Sequence, residues 1–166
     1  MLIVKWLLIA LLVLVALVVV AVTAGQLGLL SGKPPTDLGL RNGQLKAPSR
    51  TNNSVSSEAR LHGDHPMRAK AEIAALPMTG DAQATMARLQ TVVAAMPGAR
   101  IVKAEPAYLY AQFTSRWMKY TDDVEFALDE AARVVQVRSA SRLGQEDFNA
   151  NRARVEAIRA KLAEAR

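Results

Sequence analysis

Three features of this sequence predict an α+β fold behind a single transmembrane helix. The first 24 residues are almost wholly apolar. Four short stretches between residues 100 and 139 alternate polar with apolar side chains, and helix-period patterns lie before and after them. The order helix, antiparallel strands, helix predicts a sheet packed against helices on one face.

From Trp6 to Val22 seventeen apolar residues follow one another, and Lys5 is the only ionisable side chain among the first 30. About 20 apolar residues span a bilayer core as a helix. Lys5 is close enough to the end to snorkel, and Trp6 suits an interfacial aromatic. A cleaved signal peptide is the competing reading, because Val22-Thr23-Ala24 before Gly25 has the small-residue character of a cleavage site. The run exceeds the roughly 7–15 residues of a signal-peptide core, which favours a retained anchor over residues 1–24. Lys5 on one side, against Lys33 and Arg41 offset by Asp37 on the other, leaves the charge rule near a tie. A short N-terminal tail before a long C-terminal domain suits a signal anchor that exports the domain. The expected location is therefore a bacterial inner membrane, crossed once, with the domain in the periplasm.

Residues 25–60 carry eight Gly or Pro and the polar run Ser49–Ser57, which reads as a linker or irregular segment. The α+β domain is expected over 61–166. After Pro77, Thr79 or Asp81 caps a helix whose Met86, Leu89, Val93 and Met96 recur at helical spacing before Pro97-Gly98 ends it. Strands are expected over 100–104, 108–117, 122–128 and 134–139. The last two pair as a hairpin across Asp129–Ala132. The register that separates apolar from polar faces sets Phe126 opposite Val135, Glu125 opposite Gln136 and Asp123 opposite Arg138. A final helix over 148–165 buries Val155, Ile158, Leu162 and Ala165, with Asn151 on the same side and Arg152, Glu156 and Arg159 on a solvated stripe.

The residues Tyr108-Leu-Tyr-Ala-Gln-Phe-Thr-Ser115, Asp122-Asp-Val-Glu-Phe126, Val137-Arg-Ser-Ala-Ser-Arg-Leu-Gly144, Asp147 and Asn151-Arg-Ala-Arg-Val155 resemble an uncharacterised family, domain of unknown function 1499. Asp37–Gly43 and Asn53–Ser57 extend the likeness to about residues 37–165. The resemblance implies a small α+β domain, often behind an exported or membrane-anchored N-terminus, and no established activity. Two positions depart from the family: Ser54 stands where many relatives have Cys, and Asn149 where Gly is common.

With no Cys in 166 residues, disulfide frameworks, thiol catalysis, iron–sulfur clusters and Cys-ligated zinc are excluded. Among the polar residues, Asp122, Asp123, Glu125, Asp147 and Asn151 form a structural or acid cluster. The candidate anion pocket comprises Arg138, Ser139, Ser141, Arg142 and Arg152, with free N–H groups at the start of the last helix. Asp122 and Asp123 point to opposite faces of their strand, so the adjacent acids do not converge for acid–base or metal chemistry. His62 and His65 lack further ligands for a metal, and no phosphate loop, nucleophile elbow or zinc-protease motif occurs. No catalytic residue, metal or cofactor is therefore expected. Residues 133–166 carry eight bases against four acids, but the charges are interspersed and no nucleic-acid recognition module is apparent. The expected partners are the lipid bilayer, a membrane protein, and a small anionic molecule or headgroup, with Tyr108 and Tyr110 as exposed candidates for partner contact. The expected role is non-catalytic: an envelope accessory or assembly protein. A hydrolase or isomerase acting on an anionic metabolite or headgroup is the alternative.

Overall fold

The computed structural model describes residues 2–164; Ala165, expected in the last buried stripe, lies outside them. Helix α1 (Leu2–Gln26) is exposed along almost its whole length, and Gly25 is its one buried residue. It is long and apolar enough to cross a membrane, with a mean hydropathy of 3.3 over 18 residues, a property shared with signal sequences.

The remaining chain builds a six-stranded antiparallel sheet with helices, the α+β arrangement that the pattern predicts with two short strands more than the four expected. Strand β1 (Ser54–Ser56) is followed by α2 (Arg68–Ala71), β2 (Leu76–Pro77) and α3 (Ala82–Ala94). Three hairpins then connect β3 (Ala99–Glu105), β4 (Tyr108–Thr114), β5 (Thr121–Asp129) and β6 (Val134–Ser141), and α4 (Ala150–Glu164) closes the chain. The order in the sheet is β1-β6-β5-β4-β3, with β2 also paired to β6. Asp81 caps α3 as its position predicts, its Oδ1 accepting from Ala84 N at 2.7 Å. Leu89 and Val93 of α3 pack with Val155 and Ile158 of α4 over Leu109, Val124, Phe126 and Val137. Phe126, Val124, Leu89 and Ile158 are completely buried, and each such side chain contributes about 1.5–3 kcal/mol of transfer free energy.

The structure corrects the expected hairpin register. Phe126 faces Val137, Glu125 faces Arg138 and Asp123 faces Ala140, two residues from the expected pairing. The turn sets the difference. Asp129 Oδ1 accepts from Ala132 N at 3.0 Å, Arg133 N donates to Glu130 O at 3.2 Å, and Arg133 adopts the left-handed region at φ 53°. Strand pairing thus continues to Asp129–Val134, and the loop is residues 130–133. A two-residue shift leaves each side chain on its face, so alternation alone cannot distinguish the two registers.

The segment expected to be a linker is a strap across the face of the sheet away from the helices. Gly39 N donates to Glu125 Oε1 at 2.7 Å, Leu45 N to Glu58 Oε2 at 2.7 Å and Ser49 N to Ser54 Oγ at 2.8 Å. Leu45 is buried against Tyr108 and Ala127. The strap therefore buries Tyr108 and half-buries Tyr110, so neither is free for partner contact. The last helix begins two residues later than expected, because Phe148 and Asn149 hold left-handed φ of 51° and 66°.

Candidate functional site

The polar residues of β5 and β6 divide between the two faces of the sheet, as strand alternation requires. Under the strap, Asp123 accepts two bonds from Arg142, Nε to Oδ2 at 2.8 Å and Nη2 to Oδ1 at 2.7 Å. Tyr110 OH donates to the same carboxylate at 2.5 Å. Beside this fork, Glu125 is completely buried and takes bonds from Tyr108 OH at 2.7 Å and from Gly39 N. Its Oε2 has no hydrogen-bond partner and lies 3.6 Å from Arg138 Nη1. Arg138 Nε donates instead to Ala47 O at 3.1 Å, tying the strap to the sheet. Burial lowers the Arg138 pKa against the pull of Glu125. The bond to Asp123 raises that of Arg142, and burial followed by the bond to Glu125 pushes the Tyr108 phenol far above its ordinary range.

On the helix side, Asn151 sits completely buried at the start of α4. Its Nδ2 donates to Asn53 O at 3.0 Å, Ser141 Oγ at 2.9 Å and Asp147 Oδ2 at 2.7 Å. Its Oδ1 accepts from Ser139 Oγ at 2.5 Å and Arg154 Nη1 at 2.7 Å. Arg154 Nη2 in turn reaches Asp122 Oδ2 at 2.5 Å, with the guanidinium 4.8 Å from the centre of the Phe113 ring. This network joins Asn53, just before β1, with β5, β6 and α4 at one end of the core.

The expected anion pocket is accordingly rearranged. Arg138 and Arg142 come together under the strap, whereas Ser139 lies on the opposite face. Arg152 is not part of the group: its Nη2 donates to Lys70 O and Glu72 O, both at 2.8 Å. Arg159 likewise donates to Ala74 O and Ala75 O, both at 2.7 Å. The stripe expected to be solvated thus pins the chain between α2 and β2 to α4. The N–H groups of Asn149, Ala150 and Asn151 at the start of α4 are also occupied, each donating to Asp147. Arg154 was missed by the sequence reading. Its signal is its position one turn after Asn151, facing the strand side on which Asp122 lacked a partner.

Each of the three strand acids is thus held by its own arginine: Asp122 by Arg154, Asp123 by Arg142, Glu125 by Arg138. Among the described residues no group of three or more His, Asp or Glu is placed to hold a metal ion. Between strap and sheet a cavity of about 190 Å³ is lined by Lys33, Lys46, Arg138 and Arg142 with Asp123. Lys46 pairs with Asp37 at 2.6 Å, while Lys33 is exposed and makes no ion pair among the described residues.

The comparison with known families fits this architecture. A family model described as a protein of unknown function, DUF1499, matches residues 44–162. The chain belongs to this family. The DUF1499 region starts within the strap and ends in α4, so it contains the whole sheet and every side chain of the two polar clusters, while Gly39 and Lys33 lie before it. No curated protein matches the chain. Ser54 is buried and accepts the bond from Ser49 N. Asn149 occupies a left-handed position that Gly would adopt without strain.

Proposed function

We propose that this DUF1499 protein is a non-catalytic, membrane-anchored module of the bacterial cell envelope that binds a small anionic group beside the inner membrane. The carrying observation is the convergence of Lys33, Lys46, Arg138 and Arg142 on one cavity in which Asp123 is already satisfied by Arg142 and Tyr110. A phosphate or carboxylate entering there meets cationic donors, and forked or point contacts from such donors suit either anion. The pairing of Asp122, Asp123 and Glu125 with arginines leaves no free acid among them for proton transfer, which favours binding over the hydrolase or isomerase reading.

Retention of α1 is supported by its continuity through Ala24 to Gln26 and by its docking on the domain. Gln26 Nε2 donates to Trp117 O at 2.9 Å and Arg116 O at 3.3 Å. A signal anchor of this form leaves the domain in the periplasm, where a partner membrane protein is also accessible. A Gly63→Cys variant tests the side. Position 63 is open and the chain has no other Cys, so an impermeant maleimide labels it in intact spheroplasts if the domain is periplasmic, and only after lysis if it is not.

Calorimetric titration of the full chain in zwitterionic nanodiscs with glycerol 3-phosphate and with inorganic phosphate tests the anion site. Saturable heat that Lys33→Ser and Lys46→Ser weaken is expected. Heat unchanged by both substitutions, or no binding by the unmodified chain, overturns the proposal. Both lysines are at least partly exposed, so the fold tolerates their loss.

A further inference from the structure

The last turn of α1 is fastened to the β4–β5 loop, residues 115–120. Gly25 is buried there, and a Cβ at this position would lie 2.5 Å from Met118 O, so glycine alone permits the approach. The contact fixes which end of the domain faces the membrane. Around that end stand Trp117, Tyr120, Leu143, Leu27 and Leu29, each more than 40% exposed, and Phe148 at 89%. Phe148 and Asn149 are consecutive non-glycine residues with positive φ, a costly backbone that holds the phenyl group outward. Trp and Tyr beside a membrane helix are the residues of a bilayer interface.

Directly behind this rim lies the largest cavity described, about 730 Å³, within the range of small-molecule and lipid-sized sites. Its rim is Leu30, Leu143 and Phe148; its inner wall is Met96, Phe113 and Thr121, the last two buried. Leu143 also borders an adjoining recess of about 570 Å³ formed by residues 28–33 and Arg142, which exposes Lys33. Gly32 packs against the side chains of Arg142 and Leu143 in a left-handed conformation. A chamber with a mainly apolar lining and a cationic recess thus share one residue, Leu143, at the level where α1 leaves the bilayer.

We propose that the large cavity takes an acyl chain of a bilayer phospholipid. The headgroup phosphate lies toward Lys33 and Arg142, a placement that rests on the anion-binding reading above. The chain itself does not depend on that reading, because it is uncharged and meets Leu30, Met96, Phe113, Leu143 and Phe148. Glu146 and Asp147 also line the cavity, as does the Asp122–Arg154 pair. Bonds from Asn52, Asn149 and Asn151 hold the two free carboxylates, which lowers the cost of covering them with hydrocarbon, and they disfavour an anion inside it. The lipid enters laterally from the leaflet on which the domain rests, which explains why the exposed aromatic and leucine side chains cluster at this end.

Photolabelling of the full chain in nanodiscs tests the site, with phosphatidylglycerol or phosphatidylcholine bearing a diazirine on one acyl chain. Label is expected on peptides containing Met96 and Phe113 as well as on α1. Ala150→Trp places a bulky ring into the cavity from an exposed position, and it is expected to reduce the Met96 and Phe113 label severalfold while the label on α1 stays. Label confined to α1, label on the rim alone, or wall label indifferent to Ala150→Trp overturns the proposal. Wall label from phosphatidylcholine that survives Lys33→Ser supports the chain site even if glycerol 3-phosphate fails to bind. Absence of wall label together with intact glycerol 3-phosphate binding overturns the chain site and leaves the anion site standing.

Discussion

Replacing Asn151 with Ala removes a side chain that bonds Asn53, just before β1, and β6 to α4. In the folded protein its amide supplies a donor to Asn53 O and an acceptor to Ser139 Oγ, both in residues less than 5% exposed. Asn53 O keeps the bond from Ser141 N and Ser139 Oγ keeps that from Arg154 Nη1, so the group left without a partner is the Ser139 hydroxyl hydrogen, at a cost of about 1–3 kcal/mol. Arg154 retains Asp122, and Asp147 retains the Asn151 backbone N–H, so neither adds to this cost. With a urea dependence of about 2 kcal/mol per molar, the unfolding midpoint falls by roughly 0.5–1.5 M. The assay is urea unfolding of the full chain in mild detergent, read by Trp117 fluorescence in a Trp6→Phe background. A midpoint shift for Asn151→Ala below about 0.2 M refutes the claim that this network holds the elements together.

Arg138→Met leaves the completely buried Glu125 without its cation and is expected to cost about 3–5 kcal/mol, while adding Glu125→Gln restores most of the loss; equal stability of the single and double variants in urea contradicts this. Burial holds the Glu58 carboxyl above its ordinary value, partly offset by the bond from Leu45 N. An acid raised in this way contributes stability in full below its unfolded pKa of about 4.3 and loses it as pH rises through the folded value. Glu58→Gln is therefore expected to gain on the unmodified protein as pH rises above about 4, and parallel stability profiles would contradict it. Gly25→Leu forces α1 away from Met118; faster hydrogen exchange is expected in residues 115–120 with the β5–β6 amides unchanged, and unaltered loop exchange contradicts the docking.

The parts of this fold that are legible in sequence are those in which side-chain pattern and packing coincide. Met86, Leu89 and Val93 after Asp81 identify α3 because that stripe is the face it buries. Alternation in β5 and β6 assigns every side chain to the right face, yet it is blind to a two-residue shift, and a left-handed Arg133 decided the register. The strap was hidden because its attachments use backbone groups, Gly39 N, Leu45 N, Ala47 O and Ser49 N, which leave no periodic trace in a Gly- and Pro-rich segment. For the candidate site, Arg138, Arg142, Asp122, Asp123, Glu125 and Asn151 were all identifiable as one polar constellation, but not how they divide between faces. Arg152 and Arg154 are near neighbours on one helix. Backbone carbonyls that no sequence pattern announces capture the first, and Asp122 captures the second.

Electron paramagnetic resonance of the full chain in nanodiscs containing chain-labelled phosphatidylglycerol or phosphatidylcholine measures lipid held beside the domain. A larger immobilised fraction for phosphatidylglycerol, brought level with phosphatidylcholine by Lys33→Ser with Lys46→Ser, is the predicted result. Equal fractions for the two lipids in the unmodified protein would contradict an anionic site at the membrane surface.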